Sequence, residues 1–155
     1  MVRFVVKLVA IVFVLVIILG FLRTWQMEHS KSQTIFEGGK VPSPLPDGLY
    51  KGSVPGHTFS WQGKKFDSAN NKGINIFDEN GTTTENYPFK TSVTKGLRDK
   101  NLEVVKIDYN IIGNPFWLRI IVDEIVEIAP GDYLGKLHVR IIGFTFTLGY
   151  FQLKK

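Results

Sequence analysis

Residues 4–22 read FVVKLVAIVFVLVIILGFL, nineteen positions with one charge, Lys7. As a helix rising about 1.5 Å per residue, this run reaches roughly 28 Å, close to the hydrocarbon thickness of a bilayer. Lys7 sits near the start, where its aliphatic stem can carry the ammonium up to the headgroups. Arg23 closes the run, and Trp25 follows at a depth that suits an indole ring. A cleaved secretory signal is the rival reading. The basic start fits it, and the apolar stretch after Lys7 lies at its upper length limit. The segment GFLRTWQM, however, offers no small-x-small cleavage site. The expectation is an uncleaved single-pass anchor over residues 1–23, in the cell membrane. The basic residues flanking the run are nearly balanced. The short N-terminal tail favours a domain outside the cytoplasm. With no cysteine there is no lipid-attachment thiol and no disulfide framework.

Residues 24–47, TWQMEHSKSQTIFEGGKVPSPLPD, are polar, with Gly38-Gly39 and three prolines. They read as a linker, extended at its Pro-rich end, that holds a domain off the membrane. The competing reading wraps part of the segment on the domain, with Ile35 and Phe36 tucked in. From Gly48 on, fourteen basic residues face eleven acidic ones, about +3 and scattered. That balance gives no footprint for nucleic acid.

The domain over residues 48–155 reads as mostly β. Short strands are expected over 48–54, 57–66, 73–77, 87–93 and 101–110. Asn80-Gly81 suits a tight hairpin turn. In YLGKLHVRI (133–141), apolar and polar positions alternate, which puts Lys136, His138 and Arg140 on a wet face. FTFTLGYFQL (144–153) alternates as well. Asn114-Pro115 looks like a helix start, so NPFWLRIIVDEIVEI divides into a short helix over 115–121 and a strand over about 123–128. On that strand the pattern groups Leu118, Ile120, Val122, Val126 and Ile128 with one odd member, Glu124. The fold class is therefore mainly β: a small antiparallel, lipocalin-like barrel with one short helix, preceded by a transmembrane helix. Closure removes exposed strand edges.

The order WQGKKF (61–66), KIDYN (106–110), NPFWLRIIVDEI (114–125), YLGK (133–136) and GYFQL (149–153) resembles the lipocalin-like GXWXG family and the domain that accompanies it. Phe59 replaces the first glycine of the name motif, and the anchor is foreign to the family. The resemblance implies a small barrel and carries little function.

Chemistry is sparse. No nucleophile constellation, phosphate loop or metal-ligand spacing is present, and His29, His57 and His138 are far apart. No cofactor is expected. Asp123 and Glu127 read as solvated, pairing with Arg119 or Lys136. Glu124 is the carboxylate the strand pattern turns inward, with Lys64, Lys106 and Arg119 as candidate partners. Trp61, Lys64, Tyr109, Glu124, Tyr133 and Tyr150 are the candidate ligand-binding residues of a barrel that keeps a cavity. The leading expectation is a membrane-anchored binder of a small apolar or amphipathic ligand such as a lipid. The alternatives are an accessory subunit docked on a partner membrane protein, and an enzyme using Glu124 or Asp108 as acid or base.

Overall fold

A computed structural model describes residues 2–155. Eight antiparallel strands close into one barrel: β1 (Gly48–Ser53), β2 (Trp61–Asp67), β3 (Lys72–Glu79), β4 (Thr82–Lys95), β5 (Glu103–Asp108), β6 (Ile121–Ala129), β7 (Asp132–Ile141) and β8 (Phe144–Lys154). Each strand pairs with its neighbour in sequence. The ring shuts where Lys51, Gly52 and Ser53 of β1 meet Lys154, Leu153 and Gln152 of β8. The expected Asn80-Gly81 turn is present, with φ of 56° and 82°, the left-handed pair that a two-residue hairpin requires.

The expected helix over 115–121 is one turn only. The Leu118 and Arg119 amides both return to the Pro115 carbonyl, at 3.0 and 3.2 Å, and the chain enters β6 at Ile121. Asn114 does not cap that turn. Its side-chain amide donates to the Pro88 and Tyr109 carbonyls, at 2.8 and 2.9 Å. The β-branched residues Ile121 and Val122 pair instead with Val139 and His138 of β7, where branched side chains pack well.

Strands β6 to β8 are covered on both faces. Inside the barrel, Ile107, Ile125, Tyr133, Phe151 and Leu153 join Tyr50, Phe66 and Phe89 in the main core. Outside, Val104, Val126, Leu134 and Tyr150 form a second cluster with Phe36. The cover is helical. Helix α1 (Val2–Glu28) runs well past the apolar segment, and α2 (Lys31–Glu37) follows after Ser30, whose hydroxyl caps it by accepting from the Gln33 amide. The segment expected to be a free linker is therefore largely laid against the barrel, with Gln33, Phe36, Pro42 and Pro46 buried and Ile35 left exposed.

Helix α1 runs along β8. Phe21 packs edge-on against Phe144 and Phe146, at 5.6 and 5.2 Å. The guanidinium of Arg23 donates to the Leu148 carbonyl at 2.8 Å, and Met27 reaches the outer cluster. Leu148 is the extra residue of a bulge opposite Leu137 and His138. At that bulge the Thr147 amide donates to Thr24 Oγ1 at 3.0 Å, so the helix satisfies a buried strand amide.

The Trp61/Gly63 bulge brings β2 close to β1. Gly63 has φ 138°, and a Cβ there would stand 2.0 Å from the Tyr50 carbonyl oxygen. Gly63→Ala should therefore destabilise the barrel by about 2 kcal/mol or more, since strained backbone and overpacking add. Denaturant unfolding of the full chain in micelles measures this, and an unchanged midpoint would contradict the β1–β2 geometry.

Candidate functional site

Four connections share one end of the barrel: β1–β2, β3–β4, β5–β6 and β7–β8. A cavity of about 490 Å³ opens there and runs inward to the middle of the barrel. Its mouth carries Phe59, Trp117, Leu148 and Arg23, and its walls include Phe77, Tyr87, Ile121 and Leu137. The size suits a small ligand with a largely apolar body. The other end is solid, because Tyr50 and Tyr133 meet across it with hydroxyls 3.3 Å apart.

At the inner end of the cavity lies a buried polar cluster. Lys64 comes from β2, Asn75 from β3, Tyr109 from the end of β5 and Asp123 from β6. Lys64 Nζ is 3.0 Å from Asp123 Oδ2 and donates to Asn75 Oδ1 at 2.9 Å and to the Tyr109 hydroxyl. Those three partners use all three ammonium hydrogens. The Tyr109 hydroxyl donates to Asp123 Oδ2 at 3.1 Å, and the Trp61 indole N–H donates to Asn75 Oδ1 at 3.1 Å. Rings of Trp61, Phe89, Tyr109 and Phe151 surround the ammonium at 5.1–5.4 Å, close enough for cation–π attraction. Asp123 Oδ1, by contrast, is buried with no hydrogen-bond partner, the sole such side-chain atom among the described residues.

Burial sets the electrostatics here. Desolvation lowers the pKa of Lys64 below the usual lysine range, and the Asp123 carboxylate partly opposes it. The Tyr109 phenol is pushed well above its ordinary value, first by burial and then by the neighbouring Asp123 charge.

Of the residues expected to bind ligand, Trp61, Lys64 and Tyr109 come together in this cluster. Tyr150 borders the cavity, but its ring packs 6.2 Å from Phe36 and its hydroxyl donates to Gln33. Tyr133 is inside the barrel at the closed end, away from the cavity lining. Glu124 is on the opposite face of β6. It is fully buried outside the barrel, beneath the connection between β4 and β5, where Oε2 meets His138 Nε2 at 3.1 Å and Oε1 accepts from the Leu97 amide at 2.6 Å. None of Lys64, Lys106 and Arg119 reaches it. The inward carboxylate is Asp123, which was expected in solvent. Both faces of β6 are apolar, so alternation does not say which one looks into the barrel.

The wet face assigned to β7 is corrected as well. Lys136 and His138 are fully buried beneath the helices. Lys136 Nζ donates to Gln33 Oε1 and Asp99 Oδ2, at 2.8 and 2.7 Å. Asp108, the other candidate acid–base residue, forms a surface pair with Lys106 and Arg140 at 3.5 and 3.6 Å, and Glu127 is 3.9 Å from Lys40. Asn75 had no sequence signal beyond its place in an apolar strand. No group of three or more metal-ligating side chains occurs among the described residues.

Comparison with family models, with curated proteins and with solved structures returns no match. The geometry alone therefore carries the reading of the site.

Two outcomes follow from the cluster. Lys64→Met should cost about 3–5 kcal/mol, because it strands a buried carboxylate, whereas Lys64→Met with Asp123→Leu should recover most of that loss. Thermal or denaturant unfolding reads the cycle. In the alkaline range, Tyr109, Tyr133 and Tyr150 all have pKa values raised chiefly by burial. The folded chain then keeps phenol protons that the unfolded chain releases. The stabilisation from these groups is complete below the ordinary tyrosine pKa of about 10 and is lost as pH rises through the folded values. Phenolate absorbance from these three should appear together with unfolding, and Tyr109→Phe should remove one tyrosine's share of that late step.

Proposed function

We propose that this chain is a membrane-anchored barrel that binds an amphipathic small molecule of lipid type, with its apolar part along Phe59, Phe77, Trp117 and Leu137 and its polar head at the Lys64–Asp123 cluster. The observation that carries the reading is the cavity of about 490 Å³ that ends on a buried charged pair. Such a pair is expensive to keep dry, and hydrophobic residues of similar volume often replace it at no loss. Its place at the end of an apolar cavity gives it a use.

The cluster also supports a head of particular chemistry. Lys64 has no spare hydrogen, whereas Asp123 Oδ1 lacks a donor. A hydroxyl head that donates to Oδ1 fits this demand. A carboxylate head would face Asp123 with a like charge. The chain should therefore prefer a neutral lipid bearing a hydroxyl, such as a monoacylglycerol, over the corresponding fatty acid.

The anchor is part of the proposal. Helix α1 is long and apolar enough to cross a membrane by length and composition. The packing of Phe21 on Phe144 and Phe146 of β8 supports retention of the segment, because cleavage near residue 22 would strip that packing from the barrel. The expected single-pass location in the cell membrane, with the barrel outside the cytoplasm, belongs to the same reading. The two acid–base candidates read from the sequence, Glu124 and Asp108, both lie off the cavity.

Native mass spectrometry of the full chain released from micelles tests the reading. One monoacylglycerol should remain bound in preference to the fatty acid. Leu137→Trp should fill the cavity and abolish retention, and Asp123→Asn should weaken the preference about tenfold, the scale of one buried hydrogen bond to a charged group. Retention indifferent to Leu137→Trp would place any bound lipid outside the barrel and sink the proposal.

A further inference from the structure

The cavity opens at the end of the barrel from which the apolar half of α1 departs. Along α1, Phe21, Thr24 and Met27 meet β8 in turn from Phe144 toward Tyr150. The helix therefore descends the barrel wall from the open end, and residues 2–19 project beyond that end. Phe21 lies within the apolar run and is level with Phe144. The β7–β8 turn, Ile142-Gly143, stands farther out than Phe144. With α1 in a bilayer, that turn reaches the depth of the apolar run itself.

The exposed side chains at this end suit such a depth. Ile112 is 92% exposed, Phe116 83% and Ile142 76%, and Phe59, Trp117 and Ile120 are also open. They come from three separate connections, β1–β2, β5–β6 and β7–β8, around one mouth. Contiguous apolar exposure of this kind marks an interaction surface. Arg119 and Arg140 flank a cleft beside the mouth with Ile120 and Phe144, and Trp25 is exposed on α1 just past Arg23. Cations and indole rings at such positions match the headgroup layer. The fourth connection, the Asn80-Gly81 turn between β3 and β4, directly follows Asp78 and Glu79 at the end of β3. It lies across the barrel from β8, so a barrel held at its β8 edge and tilted there would keep that tip in water.

We propose that the mouth of the barrel is seated in the same bilayer leaflet that α1 leaves, so that the cavity opens onto lipid and its ligand exchanges with the leaflet without crossing water. The proposal rests on the anchor and the cavity described above and specifies the source of the ligand. The occupant of the apolar rim is the bilayer, because the helix that enters the bilayer is fixed to the same edge of the barrel.

The chain has no cysteine, so single cysteines report on chosen sites. Phe116→Cys and Ile142→Cys sample the rim, Thr83→Cys samples the acidic tip at the same end, and Leu49→Cys samples the closed end. Each variant of the full chain carries an environment-sensitive nitrobenzoxadiazole label in vesicles of phosphatidylcholine and phosphatidylglycerol. Both rim labels should emit to the blue of the two controls and lose several-fold more emission to phosphatidylcholine brominated on its acyl chains. Rim labels that emit as in water overturn the proposal. Rim labels shifted to the blue but insensitive to brominated lipid overturn it too, since protein then covers the rim. The result does not depend on ligand retention: a lipid-seated rim on a chain that retains no lipid in mass spectrometry leaves the docking intact and removes the binding function.

Discussion

A charge held inside the barrel sets the terms for everything near it. Lys64 and Asp123 come from strands that do not pair with each other, and their side chains meet in the interior 3.0 Å apart. Neither could stay ionised there alone. Tyr109 and Asn75 complete the shell, and four aromatic rings shield it. The cluster separates a packed half of the barrel, floored by Tyr50 and Tyr133, from a hollow half.

A second polar layer lies outside the barrel and does a different job. Glu124, His138 and Thr147 form one chain of contacts, and Lys136, Asp99, Gln33 and Tyr150 form another. His138 sits between Glu124 and Thr147, with Nε2 at 3.1 Å from Glu124 Oε2 and Nδ1 at 3.2 Å from Thr147 Oγ1, so both ring nitrogens have partners. Arg98 adds an ion pair with Glu28. These contacts hold two helices and the 96–102 connection against β6, β7 and β8. Because most are buried and all are directional, they fix one seating of the helices, where apolar contacts alone would tolerate several.

Much of the architecture was legible in the chain. The apolar run, the Asn80-Gly81 turn and the alternation in β7 and β8 point to a helix and a closed antiparallel sheet, and these are present. What was hidden has one common cause. Period-two reasoning assumes that one face of a strand is wet. Strands β6 and β7 have no wet face, so Lys136 and His138 looked solvated although they are buried, and Asp123 and Glu124 exchanged roles. The cover that buries them comes from residues 24–37, whose polar composition suggested a linker. Of those polar groups, Thr24 and Gln33 are partners that the buried strand residues need, and Glu28 pairs with Arg98 of the 96–102 connection. Trp61 and Tyr109 could be singled out as strand aromatics able to line a cavity, and Lys64 as a partner for an inward carboxylate, which is Asp123 and not Glu124. Asn75 gave no comparable cue.

The hydrogen bond from the Thr147 amide to Thr24 has a consequence for how such a chain matures. A barrel usually completes its own ladder and can close before anything else is in place. Here one rung of β8 is supplied by a residue just past the apolar helix, so the sheet is finished by the segment that would be threaded into a bilayer. In the anchored chain proposed above, insertion and closure become steps of one assembly. A chain that failed to place its helix would leave the buried Thr147 amide without its acceptor.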